Sequence, residues 1–348
     1  MIKYVFKRIG LALITAFIIL SLTFILIKLL PISKPLGDEA TRYAYWQEQV
    51  RLGYVVAFDG VEHADLGDVI FKKTLSNGGT RYYYVAPIFE QYFNWLRNIV
   101  TRWDWGTSIA IEPNVKVTVI IGERLANTIK INIFSVLFSV PIGILLGIWA
   151  ALKKNTLTDH IISTTVMVCI SIPSFVLITF LLLILCYNGK ILPTQWPSSN
   201  APLGTRILGY ILPVFCLSFG SICGYCRFVR AELCEVMASD YLLLARTKGL
   251  TKRQAILRHA LRNAMVPIVP SILAEFIGIL GGSMILESLY GIHGIGSLFI
   301  SAINQSKPDY NVLFVDMAIF TTLSLLAGVI LDISYGFIDP RIRMGAKK

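Results

Sequence analysis

The residues able to do chemistry in this chain are few and scattered. Its four histidines, His63, His160, His259 and His293, fall far apart in the sequence and form no ligand set. Cys223-x-x-Cys226 has the spacing of a redox or metal pair, yet it lies on an apolar run with no second ligand pair nearby, so it is read as apolar packing. Gly294-Ile295-Gly296 lacks the strand and helix that a phosphate-binding loop needs, and is read as a tight turn. The chain contains no Gly-x-x-x-x-Gly-Lys-Ser/Thr, no His-Glu-x-x-His and no Gly-x-Ser-x-Gly. What stands out instead is charge inside apolar stretches: Lys28, Glu275, Glu287, Asp316 and Asp332. A charge near the centre of a bilayer costs about 2.5 to 3.5 kcal/mol on the insertion scale, so each of these must face protein or water. Glu287 is expected near the outer end of its span, capping the helix or touching the following loop. The pattern fits passage of a solute, not catalysis, and no metal or catalytic residue is assigned.

The elements that carry these residues are membrane helices. Of 348 residues 55% are hydrophobic, and the mean hydropathy is +0.66, too apolar for a soluble domain of this size. About 20 apolar residues cross the hydrocarbon core. Six spans are predicted on that basis, at about 9–30, 128–151, 160–187, 208–226, 266–288 and 311–335. Pro173 and Pro213 should interrupt their helices, and Gly278, Gly281, Gly282 and Ser283 should give the fifth span a small face for close approach.

Basic residues set the orientation, because cytoplasmic Lys and Arg resist translocation. Lys3, Lys7 and Arg8 precede the first span, Lys153 and Lys154 follow the second, and Arg341, Arg343, Lys347 and Lys348 follow the sixth. A loop at 227–265 adds eight more. Both termini and this loop are therefore expected in the cytoplasm, and the net charge of +11 needs no nucleic acid to explain it. The first apolar run is too long for a signal-peptide core and is expected to stay as an anchor.

Within the basic loop, Ser239 to Pro267 reads as two short helices joined at a glycine. Ser239 or Asp240 can cap the first, over Asp240 to Lys248, and Gly249 can end it in the left-handed conformation. Leu244, Ala245 and Lys248 share one face by their spacing. Thr251-x-x-Gln254 fits a capping box for the second, and Pro267 suits a further helix start.

These residues resemble a known family. Ala245-x-x-x-Gly249 followed by Arg258-His259-Ala260-Leu261-Arg262-Asn263 looks like the cytoplasmic "EAA" loop of ABC import permeases, in the dipeptide and oligopeptide branch. Further matches follow in order. They are Leu30-Pro31, Trp95, Asp104-Trp105-Gly106-Thr107-Ser108, Asp159, Ser171-Ile172-Pro173-Ser174-Phe175, Gly281-Gly282 through Glu287, Gly294-Ile295-Gly296, Asp309 and Asp339-Pro340-Arg341. Leu243, Leu244, Arg262 and His293 depart from the broader pattern.

The resemblance implies an all-α integral membrane protein with six transmembrane helices and an extracytoplasmic insertion after the first, the type I importer permease fold. It divides the chain into 1–30, the first helix; 31–127, the extracytoplasmic segment; 128–335, the permease core with the coupling loop 227–265; and 336–348, a cytoplasmic tail. It also implies a multi-pass bacterial plasma-membrane protein that forms half of a pathway for peptides. Its companions would be a homologous second permease, two cytoplasmic ATPases that bind ATP and Mg, and an external substrate-binding lipoprotein. Asp240, Tyr241, Leu244, Ala245, Arg246, Lys248, Gly249 and Leu250 would meet the ATPase as a helix in a groove. Ser171, Pro173, Glu275, Gly282 and Ser283 are the candidate pathway residues. The middle of the outer segment, about 35–90, is expected to fold as a small element that helps receive the binding protein. An ion-gradient-driven secondary transporter is the competing reading, with paired broken-helix repeats as its mark; no convincing repeat is found.

Overall fold

The computed structural model describes residues 2–32, 34–76, 78–278, 281–304 and 308–338. The chain is mostly helical and divides into two compact units. One is Met1–Ile9, Ala126–Ser297 and Leu323–Lys348, and the other is Gly10–Leu125 with Leu298–Thr322. The Asp339-Pro340-Arg341 motif and the basic tail lie outside the described residues.

Helix α1, Ile2–Lys28, is an almost unbroken apolar run with no proline, and most of its side chains are exposed, as expected of a surface that meets lipid. The insertion that follows does fold. Asp38 caps α2 (Glu39–Leu52), its carboxylate accepting from the Thr41 amide at 2.9 Å. Three short antiparallel strands, β1 (Val55–Asp59), β2 (Phe71–Thr74) and β3 (Thr80–Val85), form a sheet in the order β1-β3-β2. Register pairs Asp59 with Arg81, which bond at 2.5 and 2.7 Å, and the guanidinium holds the Asp59 carboxyl below its usual range. Tyr83, fully buried, packs with Trp46, Val55 and Ile109. Helix α3 (Ile88–Arg102) closes on α2 through Asn94 and Asn98, whose amides donate to the carbonyls of Gly53 and Leu52. The aromatic side chains Tyr45, Trp46, Tyr83, Tyr84 and Trp95 are thus buried within this segment.

Helix α4, Val117–Leu152, runs unbroken through Pro141. Helix α5 (Leu157–Ser171) and α6 (Ser174–Leu181, continued by a π-helical stretch Leu182–Asn188) meet at Pro173 with a bend of 93°. Pro173 interrupts its span as predicted. Pro213 does not: α7, Leu203–Met237, passes straight through it. Ser218, beyond the proline, places its hydroxyl 2.6 Å from the Val214 carbonyl and 3.0 Å from that of Ser135 on α4, sharing one proton between the two helices.

Of the small face expected on the fifth span, Gly282 does permit a close approach, since a Cβ there would come within 2.6 Å of Glu287 Oε1 and 3.0 Å of Thr128 Cγ2 on α4. A Cβ on Gly278 would meet nothing, whereas one on Gly143 would come within 2.9 Å of the Ile222 carbonyl oxygen, and one on Gly147 within 2.7 Å of the Cys226 carbonyl oxygen. The Gly143-x-x-x-Gly147 pair of α4 is what admits α7. Cys223 and Cys226 pack in an apolar cluster with Val166, as read.

Beyond α7 come α8 (Asp240–Thr247), α9 (Lys252–Ala255), a π-helical turn Ile256–Ala260, and α10 (Leu261–Gly278). Pro267 stands inside α10 and starts nothing, because α9, the π turn and α10 form one continuous path. The predicted fifth span at 266–288 is accordingly replaced by Arg253–Gly278. Glu287 is carried by a separate pair bent by 85°, α11 (Met284–Tyr290) and α12 (Ile295–Ile303). Helix α13, Tyr310–Ile338, completes the described chain. Five helices are long and apolar enough to cross a membrane, and the two bent pairs bring the number of candidate spans to seven among the described residues.

Candidate functional site

Helix α7 carries the polypeptide to Met237, so Arg227, Arg230, Glu232 and Glu235, read from sequence as loop residues, belong to a helix. One of them has a partner that sequence reasoning did not find. Arg230 makes two bonds to Asp159 at the start of α5, 2.5 and 2.8 Å, and the Asp159 side chain is only 1% exposed. Asp159 also accepts from the Asn155 amide at 2.9 Å and from the Ser163 hydroxyl at 3.2 Å. A basic residue on one apolar run and an acidic one at the head of another, both near span ends, was the only signal available.

Two residues beyond α7, the chain turns into α8. Ser239 occupies the cap position with extended backbone, but its hydroxyl donates backward to the Val236 carbonyl at 2.5 Å, and neither Ser239 nor Asp240 caps with its side chain. That bond ties the head of α8 to the foot of α7. At the other end Gly249 has φ +92°, as its position predicts, and its amide donates to the Arg246 carbonyl at 3.0 Å. The capping box is present in both directions: the Thr251 amide donates to Gln254 Oε1 at 3.1 Å and the Gln254 amide to Thr251 Oγ1 at 3.3 Å.

The burial pattern of α8 splits its residues into two roles. Leu242, 5% exposed, packs on Ala151, Leu233, Ala255, Ile256 and Ala260, with Leu250 packed against the same cluster. Leu242 was not singled out from sequence. Leu250, an apolar residue directly after a left-handed cap, was, though its observed place is underneath the helix. Facing outward are Asp240, Tyr241, Leu243, Leu244, Arg246 and Lys248, with Ala245 half-buried; Leu243 is 61% and Leu244 56% exposed. An eight-residue helix is too short to persist by propensity alone, so its order depends on the Leu242 anchor and on the turns at Ser239 and Gly249 that bound it. The result is a short rigid element that presents an apolar face with basic flanks. Arg253, Arg258, His259 and Arg262, also exposed, extend the basic flank.

The pathway candidates do not converge on one place. Ser171 and Pro173 stand at the α5–α6 bend, where the exposed Ser171 hydroxyl donates to the Met167 carbonyl. Glu275 is half-buried on α10, one turn from Ser271, whose carbonyl accepts from Tyr225 on α7 at 3.3 Å. Gly282, with φ +63°, and Ser283, which caps α11, belong to a third group centred on Glu287.

Glu287 is 3% exposed and organises the bend between α11 and α12. Its Oε1 accepts from Thr128 Oγ1 at 3.0 Å and from the Ser283 amide at 3.4 Å, and its Oε2 from the Ser297 amide at 3.0 Å. The sequence reading of Glu287 as a cap or loop contact matches this. Gly294 and Gly296 do not need left-handed backbone here; they need to be small. A Cβ at Gly294 would strike Glu287 and come within 2.5 Å of Thr128 Oγ1, and one at Gly296 would come within 2.7 Å of the Met284 amide.

Comparison with known proteins places this architecture. Residues 143–344 match the family of binding-protein-dependent transport system inner membrane components, a stretch that contains α8, the Asp159–Arg230 pair and the Glu287 cluster. The chain belongs to this family. An oligopeptide transport system permease protein, OppB, from Haemophilus influenzae is 32% identical over 99% of this chain and all of its own length. A dipeptide transport system permease protein, DppB, from Lactococcus lactis is 30% identical, again over 99% of this chain and its entire length. Among solved structures, inward-facing MetNI methionine ABC transporter has a chain that matches 64% of this one and 97% of its own length. Its TM-score is 0.51 at 16% identity, a likeness of fold. As a member of this permease family the chain is an inner-membrane component of binding-protein-dependent transport, not an ion-gradient-driven transporter, and the family resemblance read from its motifs holds.

Proposed function

We propose that this permease forms half of an import pathway for peptides and that α8 is the element through which an ATP-hydrolysing subunit moves it. The observation that carries the reading is the division of α8 into a buried anchor and an exposed face: Leu242 and Leu250 hold the helix to α7, the π turn and α10, while Tyr241, Leu243 and Leu244 stay uncovered. Exposed leucines on a basic loop suit an apolar groove, and Asp240, Arg246 and Lys248 would set the register of the rim. Force applied to α8 would pass along the Ser239–Val236 bond into α7 and through the π turn into α10. By the positive-inside rule the loop and both termini face the cytoplasm, with the insertion at 31–127 outside, where it would help receive a substrate-binding lipoprotein. A homologous second permease would complete the pathway. Two ATPase subunits would hold ATP and Mg, for which this chain has no Walker motif of its own. Peptides as cargo rest on the full-length likeness to OppB and DppB permeases. The candidates Ser171, Pro173, Glu275, Gly282 and Ser283 would act at hinges more than as a lining, since two of them flank the α5–α6 bend and two head α11.

Replacing Gly249 by Val tests the lever. A β-branched residue at φ +92° is strained whatever space surrounds it, by about 1 to 3 kcal/mol. Peptide uptake by proteoliposomes of the complete transporter should fall at least tenfold while ATP hydrolysis continues. Normal uptake with normal stimulation of hydrolysis by substrate would sink the assignment.

A further inference from the structure

Helix α3, Ile88–Arg102, has one face left uncovered among the described residues. Phe89, Phe93, Leu96, Val100 and Trp103 recur at alternating steps of four and three, which sets them in a single stripe along the helix and its last turn. Phe89, Phe93, Val100 and Trp103 are each between 65 and 76% exposed. The other faces are occupied. Gln91, Asn94 and Asn98 turn to the insertion, their amides donating to the carbonyls of Ala86, Gly53 and Leu52. Tyr92 and Trp95 turn to α1: the Tyr92 hydroxyl lies 2.9 Å from Ser21 Oγ, and the Trp95 ring stacks on Phe24 with centroids 4.8 Å apart. The exposed Glu90, Arg97 and Thr101 form a polar edge beside the stripe.

The contact with α1 fixes the level at which the stripe sits. At about 1.5 Å of rise per residue, Phe24 and Ser21 lie about 6 and 10 Å inside the end of α1 at Lys28. Ile18, Leu22 and Ile25 are exposed at that level, on the surface of α1 that meets lipid. With 27 residues α1 is about 40 Å long against roughly 30 Å of hydrocarbon, so this level is the boundary between acyl chains and headgroups. A contiguous stripe of four large apolar side chains is not a surface that a protein leaves to water. At a bilayer boundary it has a partner. One apolar face bearing aromatic rings, with a charged edge next to it, is the pattern of a helix that lies in the membrane interface, and a tryptophan at its end suits the headgroup level.

We propose that α3 is such an interfacial helix. Its stripe lies among phospholipid acyl chains just beneath the headgroups, Glu90, Arg97 and Thr101 face water, and the insertion is thereby pinned to the bilayer surface. The proposal is independent of the α8 lever and of the cargo.

The test uses the complete transporter in nanodiscs of phosphatidylcholine and phosphatidylglycerol. A benzophenone amino acid replaces Phe93, Val100, Glu90 or Thr101, one at a time; all four are exposed, so the fold tolerates the probe. After irradiation, phospholipid adducts of the permease are read by mass spectrometry. Adducts at 93 and 100 should exceed those at 90 and 101 severalfold. In a Phe93→Asp, Val100→Asp double variant, which sets two carboxylates in the stripe, a probe at Phe89 should lose lipid adduct about tenfold relative to the same probe without them. The thermal transition of that variant in detergent should stay in place, because the replaced side chains are exposed. Lipid adducts no more frequent at 93 and 100 than at 90 and 101 would mean a stripe open to water. Adducts to a companion subunit or a second copy at 93 or 100 would mean one covered by protein. Either result overturns the proposal, as does an undiminished adduct at 89 in the double variant; should that variant fail to fold, the four single probes decide.

Discussion

Asp309 offers the sharpest test of how this fold is held. It is fully buried, and one oxygen of its carboxylate, Oδ2, accepts four bonds: from Ser108 Oγ at 2.6 Å, from the amides of Ile109 and Ala110 at 2.9 Å each, and from that of Ile111 at 3.2 Å. The other oxygen accepts from the Val312 amide at 3.2 Å and so caps α13. One side chain thereby fixes the 106–116 loop to the head of a membrane helix about 200 residues later. Asp309→Asn keeps the shape and one carbonyl oxygen but removes the charge. Charge-assisted bonds are about twice as strong as neutral ones, so three or four of them losing half of roughly 1.5 kcal/mol gives a cost of about 2 to 3 kcal/mol. Asp309→Ala orphans every donor at once; at about 1 to 1.5 kcal/mol each, with partial rescue by water, the cost is about 4 to 5 kcal/mol. Hydrogen exchange of the purified permease reads this directly at the amides of residues 109 to 111. Their protection should fall about 30- to 100-fold in Asp309→Asn and further in Asp309→Ala, since 1.4 kcal/mol is tenfold. Unchanged protection of those amides in Asp309→Ala would mean the carboxylate does not hold the loop, and the bond-by-bond reasoning fails.

Three other outcomes follow from the same geometry. Arg230→Met leaves Asp159 buried and unpaired and should lower stability by about 3 to 5 kcal/mol, while Asp159→Leu with Arg230→Met should recover much of it; additive losses in denaturation of the double variant would contradict a direct pair. Leu242→Ala removes the anchor of α8 and should cost about 2 to 3 kcal/mol locally, seen as faster exchange across 240–247 with the global transition little moved; slow exchange there would show that the bounding turns suffice. For Asp38, the Thr41 hydroxyl and amide hold the carboxyl below its ordinary value of 3.8. A depressed folded-state value means stability that is present above about pH 4 and lost as pH falls through it. Protection at the start of α2, corrected for intrinsic rates, should therefore drop in acid, and Asp38→Asn should abolish that pH dependence.

The lever region was the most legible part of the sequence because its signals are local. A glycine after an amphipathic stretch and a Thr-x-x-Gln box each refer to residues within four positions, and Gly249, Thr251 and Gln254 behave as their spacing says. Signals that depend on continuity over a whole helix misled. Pro213 and Pro267 look like interruptions, yet α7 and α10 continue through them, because a membrane helix tolerates proline where its surroundings accommodate the freed carbonyl. Long-range pairings left no local trace at all. Nothing in the spacing of Asp159 and Arg230, or of Thr128 and Glu287, reveals that they meet, and Leu242 is one leucine among three until α7 and the π turn are laid beneath it.

The three carboxylates recognised or missed in this way share a placement that explains why they are charged and buried at once. Asp159 takes the amide of Asn155, itself in the left-handed region at φ +64°, where α4 turns into α5. Glu287 takes the amides of Ser283 and Ser297 at the heads of α11 and α12. Asp309 takes the amides of 109 to 111 and of Val312. Each stands where a helix breaks and backbone N–H groups lose their helical acceptors. Water would satisfy such groups in a soluble protein; within or beside a bilayer an unsatisfied amide costs several kcal/mol, and a carboxylate with two oxygens can serve three or four donors together. A single apolar or amide substitute cannot. Breaks are also where the chain can bend, at 85° between α11 and α12 for instance, so the residues that make the irregular backbone tolerable are the ones that fix the angle of each hinge. Substitution at any of the three should therefore change the resting geometry of its own break before it changes affinity for a solute.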